Sequence, residues 1–243
     1  MRVELQPAYI LHTRPFRENS LLVDALTQDH GRIALVARAV RSVKFNQRYY
    51  LQPFIPLRIS WLGNTSLKTL TNIDPSDPAT VLTGTYLYSG FYINELLMQL
   101  LLPESPVHDI YHAYKKLLVN LENNQPLEFS LRYFEFYLLD MLGYGIDFNA
   151  CADSGCPIES DNTYYFVPDH GLLESTHQLE TAYLSISGQY LLAIGANDFI
   201  DIEVRRAAKK LSRFAFEHLL QGKTLKSREL FRAINKTSSA SQV

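Results

Sequence analysis

The segment Ser20-Leu-Leu-Val-Asp-Ala-Leu26 is followed by Asp29-His30-Gly31 and then by Arg32-Ile-Ala-Leu-Val-Ala37. Two short apolar runs around a turn sequence predict a β-hairpin. Three further strand patterns surround it: Ala8–Thr13, Pro56–Leu62 and Leu67–Ile73. Five short strands within about 70 residues fit a small closed barrel of the OB type, in which closure removes exposed strand edges.

The periodicity changes after Asp74-Pro75-Ser76-Asp77-Pro78. Asp77 is the predicted N-cap of a helix that reaches Leu102, with Pro78 at its first position. Apolar spacing and breakers predict four more helices and a hairpin: Ser105–Leu121, Pro126–Leu142, Gly188–Ile194 and Ile202–Leu220, with Tyr164–Val167 paired to Gly171–Glu174. We therefore predict an α+β multidomain protein, an OB-fold β-barrel followed by a mainly helical domain with a small irregular, β-hairpin insertion.

The predicted domains follow from this change of pattern. Residues 1–76 form the barrel, which would bind nucleic acid. Residues 77–235 form the helical domain, with an irregular region at 149–185 that resembles a zinc knuckle. Residues 236–243 are predicted to be a frayed tail.

Charge is divided along the chain, although the formal net charge is only -2. Residues 1–80 hold 10 Lys and Arg against 6 Asp and Glu, residues 81–200 hold 3 against 15, and residues 201–243 hold 10 against 4. Two basic regions on one folded chain favour a polyanionic partner, which the net charge alone would not suggest.

Nothing in the sequence suggests secretion or a membrane span. The first twenty residues lack an uninterrupted apolar run, and the apolar stretch near Leu96–Leu102 is too short to cross a bilayer. The two cysteines, Cys151 and Cys156, do not make a disulfide scaffold. We expect a cytoplasmic, nucleoid-associated protein.

The first candidate binding segment is Arg38–Arg48, which carries Arg38, Arg41, Lys44 and Arg48 and runs into Tyr49-Tyr50. Cations neutralise a nucleic-acid backbone and aromatic rings stack on bases, so the segment suits a single strand. The alternatives are a solvated loop for the cations and core packing for the aromatic residues.

The second candidate is one face of the last long helix. At 100° per residue its cations cluster opposite an apolar stripe that includes Val204, Leu211 and His218. The cations are Arg205, Arg206, Lys209, Lys210 and Arg213. We expect this face to lack acidic partners one turn along, and it is either solvated or binds an anion.

Arg132 is the only cation between Lys116 and Arg205 and lies among aromatic residues. It would clamp a carboxylate of a partner peptide. The alternative is an intrachain ion pair with Glu128, Glu135 or Asp140, which the residues alone favour.

The sequence offers no catalytic motif. Cys151 and Cys156 resemble half of a zinc knuckle, but a closed tetrahedral site needs four ligands. His108 and His112 stand at i and i+4 as in metalloprotease helices, yet Asp109 replaces the required Glu and no third ligand follows. We expect no metal and no cofactor.

Segments along almost the whole chain resemble the RecO family of DNA repair proteins, in its proteobacterial branch. They are Ala8–Asp24, His30-Gly31-Arg32, Leu51-Gln-Pro-Phe54, Tyr92-Ile-Asn-Glu-Leu-Leu97, Leu131-Arg132 with Phe134-Glu135, Leu142-Gly-Tyr-Gly145 and Lys226-Ser-Arg-Glu-Leu-Phe-Arg232. The resemblance implies a non-catalytic recombination mediator. Such a protein binds single- and double-stranded DNA and anneals complementary strands. It also engages the acidic tail of the single-stranded-DNA-binding protein and works with RecR to help load RecA.

The resemblance also assigns roles to residues. It makes the Arg38–Arg48 segment the leading DNA contact, adds Arg14, Arg17 and Arg32, and makes Arg132 an anchor for the acidic tail. It leaves the secondary basic face, Arg205 to Arg213, open to DNA or to the same tail. Some relatives carry a four-cysteine zinc site, but this chain keeps only Cys151 and Cys156, which implies a metal-free region. Two other functions remain open: an RNA-binding OB protein and a protein-interaction scaffold.

Overall fold

The computed structural model describes residues 1–38, 46–175 and 182–227, with backbone alone for residues 46 and 47. Internal contacts divide the chain into a first unit, Met1–Gln125 with the segment that begins at Leu225, and a second unit, Pro126–Thr224. The barrel therefore shares its unit with the first two helices. The domain boundary drawn after residue 76 stays a prediction, and the predicted frayed tail at 236–243 lies outside the described residues.

A closed barrel of five strands forms the N-terminal part of the first unit, as predicted. The strands are β1 Arg2–Phe16, β2 Ser20–Thr27, β3 Gly31–Ala37, β4 Leu57–Leu62 and β5 Leu67–Pro75, in the order β1-β2-β3-β5-β4. A 3-10 helix, Asn46–Tyr50, lies between β3 and β4 along the chain. β1 is longer than the sequence pattern predicts.

Two pairings close the barrel. β1 pairs with β4 through Arg2–Ala8 and with β2 through Ala8–Phe16, and its register shifts between Ile10 and His12. β3 pairs in parallel with β5, where Ala34–Val36 lies opposite Leu67–Thr69. Because β1 pairs with β4 and with β2, it is not an edge strand of the sheet.

Alternate residues of each strand fill the barrel interior, as the period of two requires. The largest of them is Trp61, which is fully buried with Ile10, Ile33, Leu35 and Ile59. Burying apolar area at roughly 25 cal/mol per Å² makes this interior the main source of barrel stability.

Gly31 explains the sequence His30-Gly31-Arg32. Its φ of +65° is a left-handed conformation that suits glycine in the β2–β3 turn. A Cβ at this position would also overlap the carbonyl oxygen of Ser105. Beside it, the Arg32 carbonyl accepts from the Glu104 amide at 2.9 Å. The segment that follows the first helix therefore packs against this turn.

Two helices follow the barrel in the described part of the first unit: α1 Gly84–Leu100 and α2 His108–Glu122. The prediction that α1 begins at Asp77 and Pro78 is wrong. The Thr80 amide donates to the Phe54 carbonyl at 3.1 Å, and the Val81 amide donates to Glu122 Oε1 at 3.0 Å. These tertiary hydrogen bonds hold the segment extended until Thr83, the N-cap of α1.

A polar seam joins the barrel to both helices. Asn94 Nδ2 donates to the Leu11 carbonyl at 3.0 Å, and the buried Tyr114 hydroxyl donates to Asn94 Oδ1 at 2.6 Å. The Tyr9 ring packs edge-on against Tyr114, with centroids 5.3 Å apart. Burial, with a smaller effect of the Asp77 charge, raises the pKa of Tyr9 from 10.0 to about 12. The stability from this neutral phenol is present below pH 10 and is lost as the pH rises through 12.

The C-terminal segment is held to the first unit by one carboxylate. Glu95 accepts hydrogen bonds from the backbone amides of Lys226 and Ser227 at 2.8 and 2.9 Å, and from the Ser227 hydroxyl at 2.6 Å. Ser227 is buried. Glu95 and Ser227 belong to two of the segments that resemble the RecO family, and these hydrogen bonds join the two segments in the folded chain.

Among its described residues, the second unit contains three helices and a three-stranded sheet. They are α3 Leu127–Met141, β6 Thr163–Val167, β7 Gly171–Leu173, β8 Leu184–Ser187, α4 Gly188–Gly195 and α5 Ile202–Leu219, and the sheet order is β7-β6-β8. The predicted hairpin β6–β7 is confirmed, whereas β8 is missing from the prediction. No helix among the described residues is long and apolar enough to cross a membrane.

Replacing Tyr114 with Phe removes only the hydroxyl that saturates Asn94 Oδ1. We expect Tyr114→Phe to lower the free energy of unfolding by about 1–3 kcal/mol, because a buried acceptor loses its donor. Urea denaturation measures this loss. Tyr49→Phe, at an exposed ring, is the matched control and should change little; equal stabilities for the two variants would contradict the role of the seam.

Candidate nucleic-acid interface and partner surface

One end of the barrel collects three of the predicted cations. Phe16 pairs with Ser20 and Leu21 with Ala37, so the β1–β2 turn and the end of β3 lie side by side. This register brings Arg14, Arg17 and Arg38 to the same end, and all three are exposed. We call these three residues the barrel-end arginines.

The barrel-end arginines have no acidic partner among the described residues. The Arg17 guanidinium instead lies over the Phe16 ring, 5.1 Å from its centroid. The backbone of Arg17 has a φ of +52°, at the tip of the turn. Unpaired guanidinium groups present their donors to a phosphate without first breaking an ion pair.

The 3-10 helix adds a further cation and an exposed ring. Arg48 is exposed and forms no ion pair with a described residue. Tyr49 is 70% exposed, and its ring lies edge-on to Tyr50 with centroids 5.8 Å apart. Arg41 and Lys44 lie outside the described residues, so their contribution stays a prediction.

Arg32 does not join this set. Its Nε donates to the Leu101 carbonyl at 3.2 Å, and its NH1 lies 3.6 Å from Asp24 Oδ1. Its side chain is mostly buried at the β2–β3 turn, which β3 separates from the barrel-end arginines. The contacts of Arg32 are those of a residue that fixes β3 to the end of α1.

The basic face of α5 divides into two. Val204, Ala208, Leu211 and Ala215 are buried and dock the helix, while Arg206, Lys210 and Arg213 are exposed. On one side Lys209 Nζ binds Glu128 Oε1 at 2.8 Å, and Arg205 NH1 donates to the Phe199 carbonyl at 3.3 Å. On the other side Arg206 and Lys210 border β8.

The expectation that this face lacks acidic partners is wrong. Arg206 pairs with Glu203 one turn earlier, Lys209 pairs with Glu128 of α3, and Glu217 follows Arg213 by four residues. Burial would raise the pKa of Glu128, but the hydrogen bond from Lys209 and the charges of Arg132, Lys209 and Arg213 hold it below its usual value. His218, assigned to the apolar stripe, is exposed instead and lies 2.7 Å from Asp169 Oδ2.

Arg132 is buried in the interface between α3 and α5. Its guanidinium binds Glu135 through NH1 to Oε2 at 2.9 Å and NH2 to Oε1 at 3.0 Å. NH1 also donates to the Ser212 hydroxyl at 2.8 Å. The intrachain alternative named from the sequence is therefore present. Its role as a tail anchor stays a prediction, and the buried Nε has no acceptor among the described residues.

Exposed apolar side chains lie close to Lys209. Phe129 and Tyr133 are 38% and 41% exposed and stack with centroids 6.4 Å apart. Phe129 also contacts Phe199, whose neighbour Ile200 is 87% exposed. We call Phe129, Tyr133 and Ile200, with the cations Arg205 and Lys209, the α3–α5 patch.

The pairs Cys151/Cys156 and His108/His112 are the remaining motifs named from the sequence. Cys151 is buried and Cys156 exposed, and both are free thiols. Burial raises the pKa of the Cys151 thiol, which makes it a poor nucleophile. His108 Nδ1 lies 3.3 Å from Asp29 Oδ1. Among the described residues no three His, Cys, Asp or Glu side chains are placed to hold a metal ion.

The sequence patterns do not single out the polar residues of β8. Leu184-Ser185-Ile186-Ser187 alternates apolar and polar residues, and Leu184 and Ile186 are buried. This alternation is the signal for a strand, but four residues after an irregular segment are too short to stand out. Ser185 and Ser187 thus escaped notice as candidates.

The buried ion pair generates a test of the α3–α5 packing. Glu135→Ala leaves the Arg132 charge buried without its partner, so we expect a loss of about 3–5 kcal/mol in the free energy of unfolding. The double variant Arg132→Met/Glu135→Leu should recover most of it. Chemical denaturation measures both; a Glu135→Ala protein as stable as the wild type would refute the pair.

Comparison with known proteins gives matches along nearly the whole chain. The family model described as recombination protein O N terminal matches residues 1–79, and that described as recombination protein O C terminal matches residues 82–229. The DNA repair protein RecO of Haemophilus influenzae (strain 86-028NP) is 43% identical over 231 residues, which cover 95% of this chain and 97% of that protein.

Two other relatives give the same result. The DNA repair protein RecO of Cellvibrio japonicus is 44% identical over 232 residues, covering 95% of this chain and 98% of the relative. That of Vibrio cholerae (strain M66-2) is 40% identical over 228 residues, covering 94% and 93%. With both family models matched in order on a five-stranded barrel and a helical region, the chain belongs to the RecO family of DNA repair and recombination proteins.

Proposed function

We propose that this protein is a non-catalytic mediator of recombinational DNA repair. It binds single- and double-stranded DNA and anneals complementary strands. It also engages the acidic tail of the single-stranded-DNA-binding protein and works with RecR to help load RecA. Membership of the RecO family supports a role in DNA repair and recombination. The finer steps rest on the distribution of paired and unpaired cations described above.

The single observation that carries DNA binding is the lack of acidic partners at the barrel end. Arg14, Arg17 and Arg38 are exposed and form no ion pair with a described residue, whereas Arg32, Arg132, Arg206 and Lys209 are paired within the chain. A phosphate backbone is attracted most strongly where cations are not already neutralised. The exposed Tyr49 ring supplies a flat surface for a base.

Annealing follows from this surface without an active site. Cations reduce the repulsion between two phosphate backbones and raise their local concentration. Base pairing then supplies the sequence specificity. A barrel end that contacts backbones and stacks on any base treats all sequences alike, which suits a protein that must act at any break.

Tail binding is proposed for the α3–α5 patch. An acidic peptide with apolar residues at its C-terminus needs cations beside exposed apolar side chains, and this patch supplies both. Arg132 reaches such a peptide only by leaving Glu135, so Phe129 and Lys209 are the more direct contacts to test. The unmatched Arg132 Nε supports a role for that residue as a further anchor.

The DNA assignment is tested by the variant Arg14→Gln/Arg17→Gln/Arg38→Gln. We expect the slope of log affinity against log salt for single-stranded DNA to become shallower by about 2, since each lost phosphate contact removes about 0.7. Fluorescence anisotropy across a salt series measures this slope. Arg2→Gln/Lys115→Gln/Lys223→Gln has the same net charge and should keep the wild-type slope.

An unchanged slope in the barrel-end variant would contradict the assignment. The competing RNA-binding function is tested in the same assay. RNA of the same sequence should displace the DNA no better than DNA itself does, whereas a strong preference for RNA would favour that alternative.

The tail assignment is tested with a labelled acidic peptide that ends in apolar residues and a free carboxylate. Phe129→Ala and Lys209→Gln should each weaken peptide binding about tenfold, the loss of one well-placed contact, while single-stranded DNA affinity stays at the wild-type value. Lys223→Gln is the charge-matched control for Lys209→Gln. Equal loss of peptide and DNA binding would contradict the division of roles.

A further inference from the structure

A second polar pocket lies in the second unit, on the other side of α5 from the α3–α5 patch. It has a volume of about 240 Å³ and opens to solvent. Its lining comes from β8, from Tyr190 near the start of α4, and from the first half of α5. We call it the β8–α5 pocket.

Local geometry explains why polar groups meet there. Leu184 and Ile186 turn one face of β8 into the core, so Ser185 and Ser187 project to the other face. Arg206 and Lys210 stand four residues apart on α5 and therefore lie above one another on one side of the helix. Each is one position from Arg205 or Lys209, which turns it by about 100° away from the α3–α5 patch.

Most of the polar side chains that line the pocket have no hydrogen-bond partner among the described residues. The hydroxyls of Ser185, Ser187 and Tyr190 and the ammonium of Lys210 form no hydrogen bond with any residue that the structure describes. Ser187 is the N-cap of α4 but makes no side-chain capping bond. Arg206 NH1 binds Glu203 and leaves its other donors available. A few convergent polar groups of this kind mark a binding site.

The charge and the volume of the β8–α5 pocket restrict the class of ligand that it can bind. Arg206 and Lys210 carry two positive charges and Glu203 one negative charge, so the pocket has a net charge of about +1, which suits a monoanion such as a phosphodiester. Sites for whole small molecules usually measure about 300–1,000 Å³, more than this pocket offers. It fits a phosphate group of a chain whose sugars and bases stay outside.

The number of donors favours a phosphate over a carboxylate. Three hydroxyls, an ammonium and a guanidinium can be shared among the two non-bridging and two ester oxygens of a phosphodiester, while a carboxylate offers only two oxygens in total. The exposed aromatic residues that a peptide tail would need are on the other side of α5, at Phe129 and Tyr133. The two halves of the basic face therefore suit different anions.

We propose that the β8–α5 pocket binds a backbone phosphate of a second nucleic-acid strand. This inference rests on the proposed DNA binding by the barrel end and extends it. A single phosphate contact gives little affinity by itself. It acts on a strand whose effective concentration is already high because another strand is bound to the same protein. Each unit then holds one strand, and both strands are bound to the same protein molecule.

The test uses the full chain and two non-complementary single strands with different fluorophores. Energy transfer between the fluorophores reports both strands on one protein. Arg206→Gln/Lys210→Gln should bind the first strand as the wild type does. It should lose recruitment of the second strand about tenfold, and the salt slope of that recruitment should become shallower by about 0.7, the value for one phosphate contact. Lys115→Gln/Lys223→Gln is the control with the same change in net charge.

A variant that leaves the charge unchanged distinguishes the contacts of the pocket from a general electrostatic effect. Ser187→Ala removes one hydroxyl that makes no capping hydrogen bond and leaves the charge unchanged. It should weaken second-strand recruitment about tenfold, as loss of a hydrogen bond to a charged group does. Circular dichroism and thermal unfolding like those of the wild type would show that the fold is kept.

Three outcomes would overturn the proposal. If the pocket variants recruit the second strand as the control does, the pocket assignment fails while DNA binding stands. If they lose the acidic peptide and keep both strands, the pocket belongs to peptide binding. If the wild type binds no strand at all, the proposed function itself fails, and the inference fails with it.

Discussion

Closure of the barrel is the constraint on which the rest of the first unit depends. β1 must curve to pair with β4 through its first half and with β2 through its second half, and the parallel pair of β3 and β5 completes the ring. That register puts the β1–β2 turn beside the end of β3, and so brings Arg14, Arg17 and Arg38 together from distant positions in the sequence. The opposite end of β3 is fixed by Gly31 and Arg32 against the end of α1.

The second constraint is the pairing of charges. Three of the seven Lys and Arg residues of the second unit are paired with acids of the same unit: Arg132 with Glu135, Arg206 with Glu203 and Lys209 with Glu128. The exposed or half-exposed pairs, Arg206–Glu203 and Lys209–Glu128, stabilise little, but they lower the attraction for a phosphate backbone. The barrel-end arginines have no such partner in the part of the chain that the structure describes, so a chain with a formal net charge of -2 still carries a cationic surface there.

Sequence periodicity was enough for the barrel, for most helices and for the family, because these depend on local alternation and on motifs along the whole chain. It failed at Asp77, where hydrogen bonds from Thr80 and Val81 to Phe54 and Glu122 overrule a good capping sequence. Periodicity also failed to predict that the cations of α5 fall into two groups, one beside α3 and one beside β8. A helical wheel places Lys209 and Lys210 on one broad face, whereas α3 and β8 approach that face from two sides. Such tertiary neighbours leave no signal in local spacing.

The central claim is that unpaired cations at the barrel end bring two strands together while base pairing selects them. The most direct measurement is the rate at which the full chain anneals complementary strands as salt is raised. The account predicts that annealing by the wild type slows steeply with salt and that neutralising Arg14, Arg17 and Arg38 removes most of the acceleration at low salt. Annealing that is insensitive to salt, or equally fast after those three arginines are neutralised, would contradict it.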